Sequence, residues 1–155
     1  MKETKKILIA NRGVIAIRAL RAAKELGYEV ASVYSTVDRD QKHLKLSDEA
    51  ICIGPGPAKD SYLNEAAIIA AAELANVDAI YPGYGFLAEN AQFAQSVNDA
   101  GLIWIGPTPE QIALLGDKML AKQAAIDAGV PTVTSTEVHP GEKPPKFKMP
   151  VIVKA

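Results

Sequence analysis

Apolar and polar positions fall into blocks that change period along the chain. Lys6 to Ala10, KILIA, is an almost unbroken apolar run, the pattern of a strand covered on both faces, and Asn11-Arg12-Gly13 breaks it. From Val14 to about Leu26 the spacing becomes helical, with Gly27 closing the segment. On a wheel, Ile15, Ala19, Ala22, Ala23 and Leu26 form one face and Arg18, Arg21, Lys24 and Glu25 the other, with Val14 among the charges. Glu29 to Ser35 is a second apolar run, so about thirty residues hold a strand, a helix and a strand, the unit that implies parallel pairing.

The alternation then repeats. Gln41 to Leu46 reads as a short helix, Glu49 to Ile53 as a third strand, and Gly54 to Pro57, GPGP, as a rigid turn. Asn64 caps an alanine-rich helix to Ala75, and Asp78 to Tyr81 is a fourth strand. Glu89 to Ala100 is a helix ended by Gly101, and Leu102 to Ile105 a fifth strand stopped by Gly106-Pro107. Two helices follow, Pro109 to Leu115 with Thr108 as cap and Met119 to Ala128 ended by Gly129. The expected fold class is α/β, a parallel sheet of about five strands with helices on both faces. From Pro131 the pattern is lost: HPGEKPPKFKMP holds four prolines in twelve residues, the chemistry of a linker. The expected organisation is a domain over 1–131, a proline-rich linker over 132–149, and at 150–155, PVIVKA, the first strand of a further domain that is cut short.

Composition narrows the function classes. With 155 residues, 48% hydrophobic, there is material for one good core. The net charge of −1 comes from mixed acids and bases, so no global field favours nucleic acid or an anionic membrane. One cysteine, Cys52, excludes an internal disulfide, and its place on an apolar strand suggests inert core. His43 and His139 lie far apart without ligand companions, so no metal held by protein ligands alone is expected. The N-terminus lacks a signal-peptide core and no apolar run reaches transmembrane length, which suggests a cytoplasmic protein.

Candidate chemistry lies where strands hand over to helices. In a parallel sheet these loops leave from the carboxyl edge, so Asn11-Arg12-Gly13, Tyr81 to Glu89 (within YPGYGFLAEN) and the Gly106-Pro107 turn should line one crevice. Arg12 beside a helix N-terminus is a possible anion site or part of a tight connection. Gly83 and Gly85 allow close backbone approach to a ligand or simply form a turn; Tyr84 can stack or donate, and Glu89 can cap its own helix. Asp117 is placed to cap the helix that Lys118 opens; a lysine there opposes the macrodipole, tolerable if both face one anion. Arg18, Arg21 and Glu25 share a helix face, either solvated or a partner surface.

KILIANRG, DRDQKH (Asp38 to His43), DEAICIG, SYLN (Ser61 to Asn64), YPGYGFLAEN, IGP, GDK, AGVP and PVIVKA occur in that order over nearly the whole chain. Together they resemble the biotin carboxylase family, the ATP-grasp components of biotin-dependent acetyl-CoA, propionyl-CoA and pyruvate carboxylases. The resemblance implies the family's N-terminal, Rossmann-like domain, which precedes the ATP-grasp fold, and a reaction in which ATP and bicarbonate carboxylate biotin on a carrier protein through carboxyphosphate. By position it assigns Lys118 and Lys154 to ATP, Tyr84, Gly85 and Glu89 to the biotin and bicarbonate side, and Arg18, Arg21 and Glu25 to a homodimer interface. The Mg2+ ligands and the family's catalytic residues fall beyond Ala155, so the fragment alone is expected to be inactive. A biotin carboxyl carrier and a carboxyltransferase are the implied partners. Three departures stand out: Val14 where the family has glutamate, Tyr81 where it often has histidine, and a shorter, proline-rich stretch from Val133 to Met149. Two other readings remain: a dinucleotide-binding domain with Asp38 on a ribose, against which the missing GxGxxG counts, and a non-catalytic assembly module docking through Val14 to Leu26.

Overall fold

The computed structural model describes residues 5–136, 138–139, 141–143, 145–146 and 149–152. They divide into two compact units, the first ending at Ala121 and the second beginning at Lys122. The first unit holds the sheet. Its strands are β1 (Lys6–Ile9), β2 (Glu29–Ser35), β3 (Glu49–Gly54), β4 (Ala79–Tyr81) and β5 (Ile103–Trp104), in the spatial order β3-β2-β1-β4-β5. Every neighbouring pair is parallel. Helices α1 (Gly13–Glu25) and α2 (Lys42–Leu46) follow β1 and β2; α3 (Glu65–Leu74), α4 (Ala91–Asp99) and α5 (Pro109–Gly116) follow β3, β4 and β5, and α6 (Lys118–Asp127) comes last.

The sheet is doubly wound because both faces of its central strands are apolar. Ile7, Ile9, Val30 and Ala79 meet Ala16, Leu20 and Ala23 of α1, with Leu46 of α2 against the same cluster. Leu8, Ala31, Val33 and Ile80 meet Ile68, Ala71, Phe93, Ala94 and Val97 of α3 and α4 on the other side, joined by Trp104 and Ile112. Phe93 and Trp104 pack edge to face, with ring centres 5.6 Å apart.

The expected helix ends are present where capping chemistry marked them. Asn64 accepts from the Ala67 N–H, and Thr108 forms a reciprocal capping box with Gln111. Asp117 accepts from both Met119 and Leu120 at the start of α6. Three readings need correction. The buried stripe of α1 is Ala16, Leu20 and Ala23; Leu26 is 74% exposed, and Ile15 is half-buried because it leans toward the loop after β4. Helix α4 starts at Ala91 with Asn90 as its cap, since the Asn90 side chain accepts from Phe93 N–H at 2.9 Å; Glu89 is still in the loop. Cys52 is exposed, not core, because β3 is an edge strand and Cys52 occupies an outward position on it.

Among the described residues past α6 no strand is present, Pro150–Ile152 included, and Lys154 lies outside the described residues. Among the described residues no helix is long and apolar enough to cross a membrane.

One buried group ties stability to pH. His43 is fully buried; its Nε2 donates to the Val33 carbonyl at 3.3 Å while Nδ1 has no hydrogen-bond partner. Burial pushes its pKa below the ordinary value of 6.5, against the opposing pull of the Val33 carbonyl and of Asp38. The folded state therefore takes up the proton at lower pH than the unfolded chain. That stability is full above about pH 6.5 and drains away as the pH falls toward the folded pKa, by at most about 1.4 kcal/mol per pH unit. Urea midpoints at pH 7.5 and 5.5 are expected to show this fall, and His43→Leu to flatten it; an unchanged slope in the variant would assign the fall elsewhere.

Candidate functional site

Strand β1 sits at the switch point of the sheet, with β2 on one side and β4 on the other; in open parallel sheets ligands are held outside the carboxyl ends of the strands at this point. Ile9 is in register with Tyr81, and the Ala10 N–H donates to the Tyr81 carbonyl at 2.9 Å. The loops after β1 and β4 thus start level and side by side.

Asn11 joins them. It is fully buried, and its Nδ2 donates to the Pro82 carbonyl at 2.8 Å and the Tyr84 carbonyl at 3.1 Å. Its Oδ1 accepts from the Arg12 N–H at 2.9 Å, so both ends of the amide are used. The loop comes this close because Gly83 has no side chain: with φ at +72°, a Cβ there would lie 2.6 Å from Ile15 Cγ2 and 2.9 Å from Asn11 Nδ2. Gly83 therefore meets protein rather than ligand. Gly85, at φ +70°, faces open space, so it alone of the two glycines leaves room for a ligand.

The next residue is strained. Phe86 has φ +44°, a region a bulky side chain occupies only when its surroundings hold it there. Its ring stacks on Tyr62, centres 5.0 Å apart and planes 14° off parallel. The Arg12 guanidinium lies 5.2 Å from the Tyr62 ring centre and 5.5 Å from that of Phe86. Arg12 Nη1 also contacts Asp38 Oδ2 at 3.2 Å, and the same oxygen accepts from Ser35 Oγ at 2.7 Å and Tyr62 Oη at 2.8 Å. Burial raises the Asp38 pKa, but donation from Ser35, Tyr62 and Arg12, with the charge of Arg12, holds it below the usual carboxylate value. Burial pushes the Tyr62 phenol up to about 12, opposed by the Ser35 N–H and reinforced by Asp38.

This accounts for two sequence-level possibilities. The Arg12 side chain, still 43% exposed, is engaged with a carboxylate and two rings, which describes a connector more than a free anion site. Asp38 is buried and spends one oxygen on three donors, leaving it poorly suited to a ribose.

Of the residues singled out for ligands, Tyr84, Gly85 and Glu89 share the loop after β4 and are exposed, Tyr84 by 67%. Lys118 opens α6, exposed and without an ion pair among the described residues, directly after the capping Asp117. At the third loop, Trp104 Nε1 donates to the Pro107 carbonyl at 3.0 Å, folding the Gly106-Pro107 turn onto the end of β5. Arg18, Arg21 and Glu25 are exposed along α1, on a ridge that begins with Val14, 78% exposed. Among the described residues no group of three or more His, Cys, Asp or Glu could hold a metal ion.

Sequence reasoning missed Asn11 and Phe86. The available signal was a polar side chain directly after a fully buried strand, where an unpaired amide would be costly.

The family model for the biotin carboxylase N-terminal domain matches residues 3–112. The chain belongs to that family. All the loops just described fall within the match except α6, so Lys118 and Lys154 lie beyond it. Biotin carboxylase of Pseudomonas aeruginosa is 58% identical over 132 residues, covering 85% of this chain and 29% of that protein. Among solved structures, the biotin carboxylase complex with β,γ-ATP from Campylobacter jejuni superposes with a TM-score of 0.83 at 51% identity, over 86% of this chain and 30% of the other. The biotin carboxylase domain of Hydrogenobacter thermophilus 2-oxoglutarate carboxylase, solved with MgADP, ADP and bicarbonate, gives 0.81 at 45% identity, over 86% and 29%. The biotin carboxylase N-terminal domain described here thus spans about 30% of the length of the relatives it matches. Those relatives are ligases.

Proposed function

We propose that this domain forms one wall of a site that carboxylates carrier-bound biotin with ATP and bicarbonate through carboxyphosphate. The observation that carries this reading is the convergence, at the switch point of the sheet, of two loops from the matched span, the one after β1 and the one after β4, joined by Asn11. Tyr84 and Gly85, exposed at the tip, and Glu89 further along would face biotin and bicarbonate. Lys118 would lie against nucleotide phosphate, stabilising charge that builds up during phosphoryl transfer to bicarbonate; Lys154 is proposed for the same nucleotide. Mg2+ would neutralise phosphate charge when bound, its ligands lying in the remainder of the parent protein. Because the domain spans about 30% of its relatives, turnover is proposed for the longer protein and not for this chain alone.

In that protein the proposed partners are a biotin carboxyl carrier, a carboxyltransferase and a second copy meeting Arg18, Arg21 and Glu25. The exposed Val14 at the head of that ridge gives its dimer contacts an apolar element where glutamate would give a charged one. The proposed compartment is the cytoplasm.

Lys118→Ala in the full-length protein is expected to weaken ATP binding roughly 10- to 100-fold, the value of one charge-assisted contact. Calorimetry checks this; unchanged ATP affinity and turnover would remove Lys118 from the site.

A further inference from the structure

We propose that Asn11 and Arg12 are positioning residues that hold the Tyr84–Gly85 tip in its ligand-facing shape, Asn11 through the Pro82 and Tyr84 carbonyls and Arg12 through the ring of Phe86, whose backbone is strained. The inference deepens the carboxylase reading and rests on it for the identity of the ligand. Its geometry stands independently.

The loop is gripped on both sides of its tip. Ahead of the tip, one buried amide reaches two carbonyls, and Gly83 seats against Ile15 and Asn11 so tightly that no side chain fits. Behind it, Phe86 adopts a left-handed conformation that costs free energy, so something must offset it. The offset is the stack on Tyr62 with the Arg12 guanidinium against both rings, and Arg12 is itself steered by Asp38. Tyr62 is fixed in turn, donating to Asp38 and accepting from the Ser35 N–H at 3.1 Å. Between the two grips lie Tyr84, exposed, and Gly85, with open space around it. Two consecutive residues leaving β1 thus set the shape of a loop that leaves β4, and neither needs to touch the ligand.

Amide exchange in this chain tests the grip. The Ala88 and Asn90 amides, which donate to the Gly85 and Leu87 carbonyls at 2.9 and 3.1 Å, report on the loop. The Ile105 amide, which donates to Ile80 at 3.0 Å, reports on the sheet. Asn11→Asp keeps the shape and the Oδ1 acceptor but replaces a donor with an oxygen facing two carbonyls, and Arg12→Met keeps length without charge or plane. Each is expected to speed exchange at Ala88 and Asn90 about tenfold with Ile105 unchanged. Because Arg12 acts through Phe86, adding Arg12→Met to Phe86→Ala is expected to change nothing further at those two amides. In the full-length carboxylase, Arg12→Met is expected to raise KM for biotin about tenfold while KM for ATP stays the same.

No acceleration at the loop would overturn the proposal, and so would equal acceleration at Ile105, which would mean general loosening. A faster loop with KM for biotin unchanged would overturn it as well. Wild-type full-length protein without biotin-dependent ATP hydrolysis would overturn the carboxylase reading instead, and the two failures are separable because the exchange measurement needs no turnover.

Discussion

Asp38→Ala is expected to destabilise the domain by about 2–4 kcal/mol, roughly 1–2 kcal/mol for each of the two buried hydroxyl donors left without their acceptor. Four donors lose their acceptor at once: Ser35 Oγ and Tyr62 Oη, both on fully buried residues, Arg12 Nη1, and Gln41 Nε2 at 3.5 Å. Tyr62 also packs in the larger apolar cluster, so the loss of its hydroxyl's acceptor is felt in the core. The loss then passes to the loop after β4, because Arg12 without Asp38 is no longer steered over Phe86. Asp38→Asn, which keeps volume but gives up charge, is expected to lose less than alanine does. Urea denaturation followed by circular dichroism checks both variants, and a loss under about 1 kcal/mol for alanine would mean that the network is solvated and not structural. Acid adds a second signature: since the Asp38 pKa is lowered in the folded state, its contribution is present above the unfolded value of 3.8 and is lost as pH falls through the folded one. That loss begins near the unfolded carboxylate value of 3.8, whereas the His43 loss begins near 6.5.

The sheet was legible because strands buried on both faces leave unbroken apolar runs, and Lys6 to Ala10 and Glu29 to Ser35 could be little else. Caps were legible for a local reason: Asn64, Thr108 and Asp117 each act on an amide two or three residues away. The face of α1 was not legible. A wheel ranks Ile15 and Leu26 as core by apolarity, but the sheet takes the narrow Ala16-Leu20-Ala23 stripe, while Ile15 covers Gly83 and Leu26 projects past the end of the helix. Glu89 was misplaced as a cap because it and Asn90 both suit a helix start, and only the loop's path decides between them.

The site was half legible. Its position followed from strand order and its glycines from composition, but what holds it does not show in local sequence. Asn11 bonds a carbonyl 71 residues away, and Arg12 an acid 26 residues away. The motifs NRG, DRDQKH, SYLN and YPGYGF, separate along the chain, supply Asn11 and Arg12, Asp38, Tyr62 and Phe86 to one connected cluster. Four motifs that are far apart in sequence thus meet around one loop.

The second large effect concerns activity, and it bears on the proposed role as a site wall. The P. aeruginosa enzyme is 58% identical over 132 residues, and the central contacts here are internal to the first compact unit, so the unit carries its own loop support wherever it is placed. A chimera in which this chain replaces the matching part of that enzyme should bury the same sheet, present the same Tyr84–Gly85 tip, and offer Lys118 to the nucleotide. The direct measurement is bicarbonate-dependent ADP release by the purified chimera with and without free biotin. Biotin-stimulated release, lost on Asp38→Ala and reduced on Lys118→Ala, is the expected result. A folded chimera that binds ATP but whose ADP release does not respond to biotin would contradict the assignment of this domain to the carboxylation site.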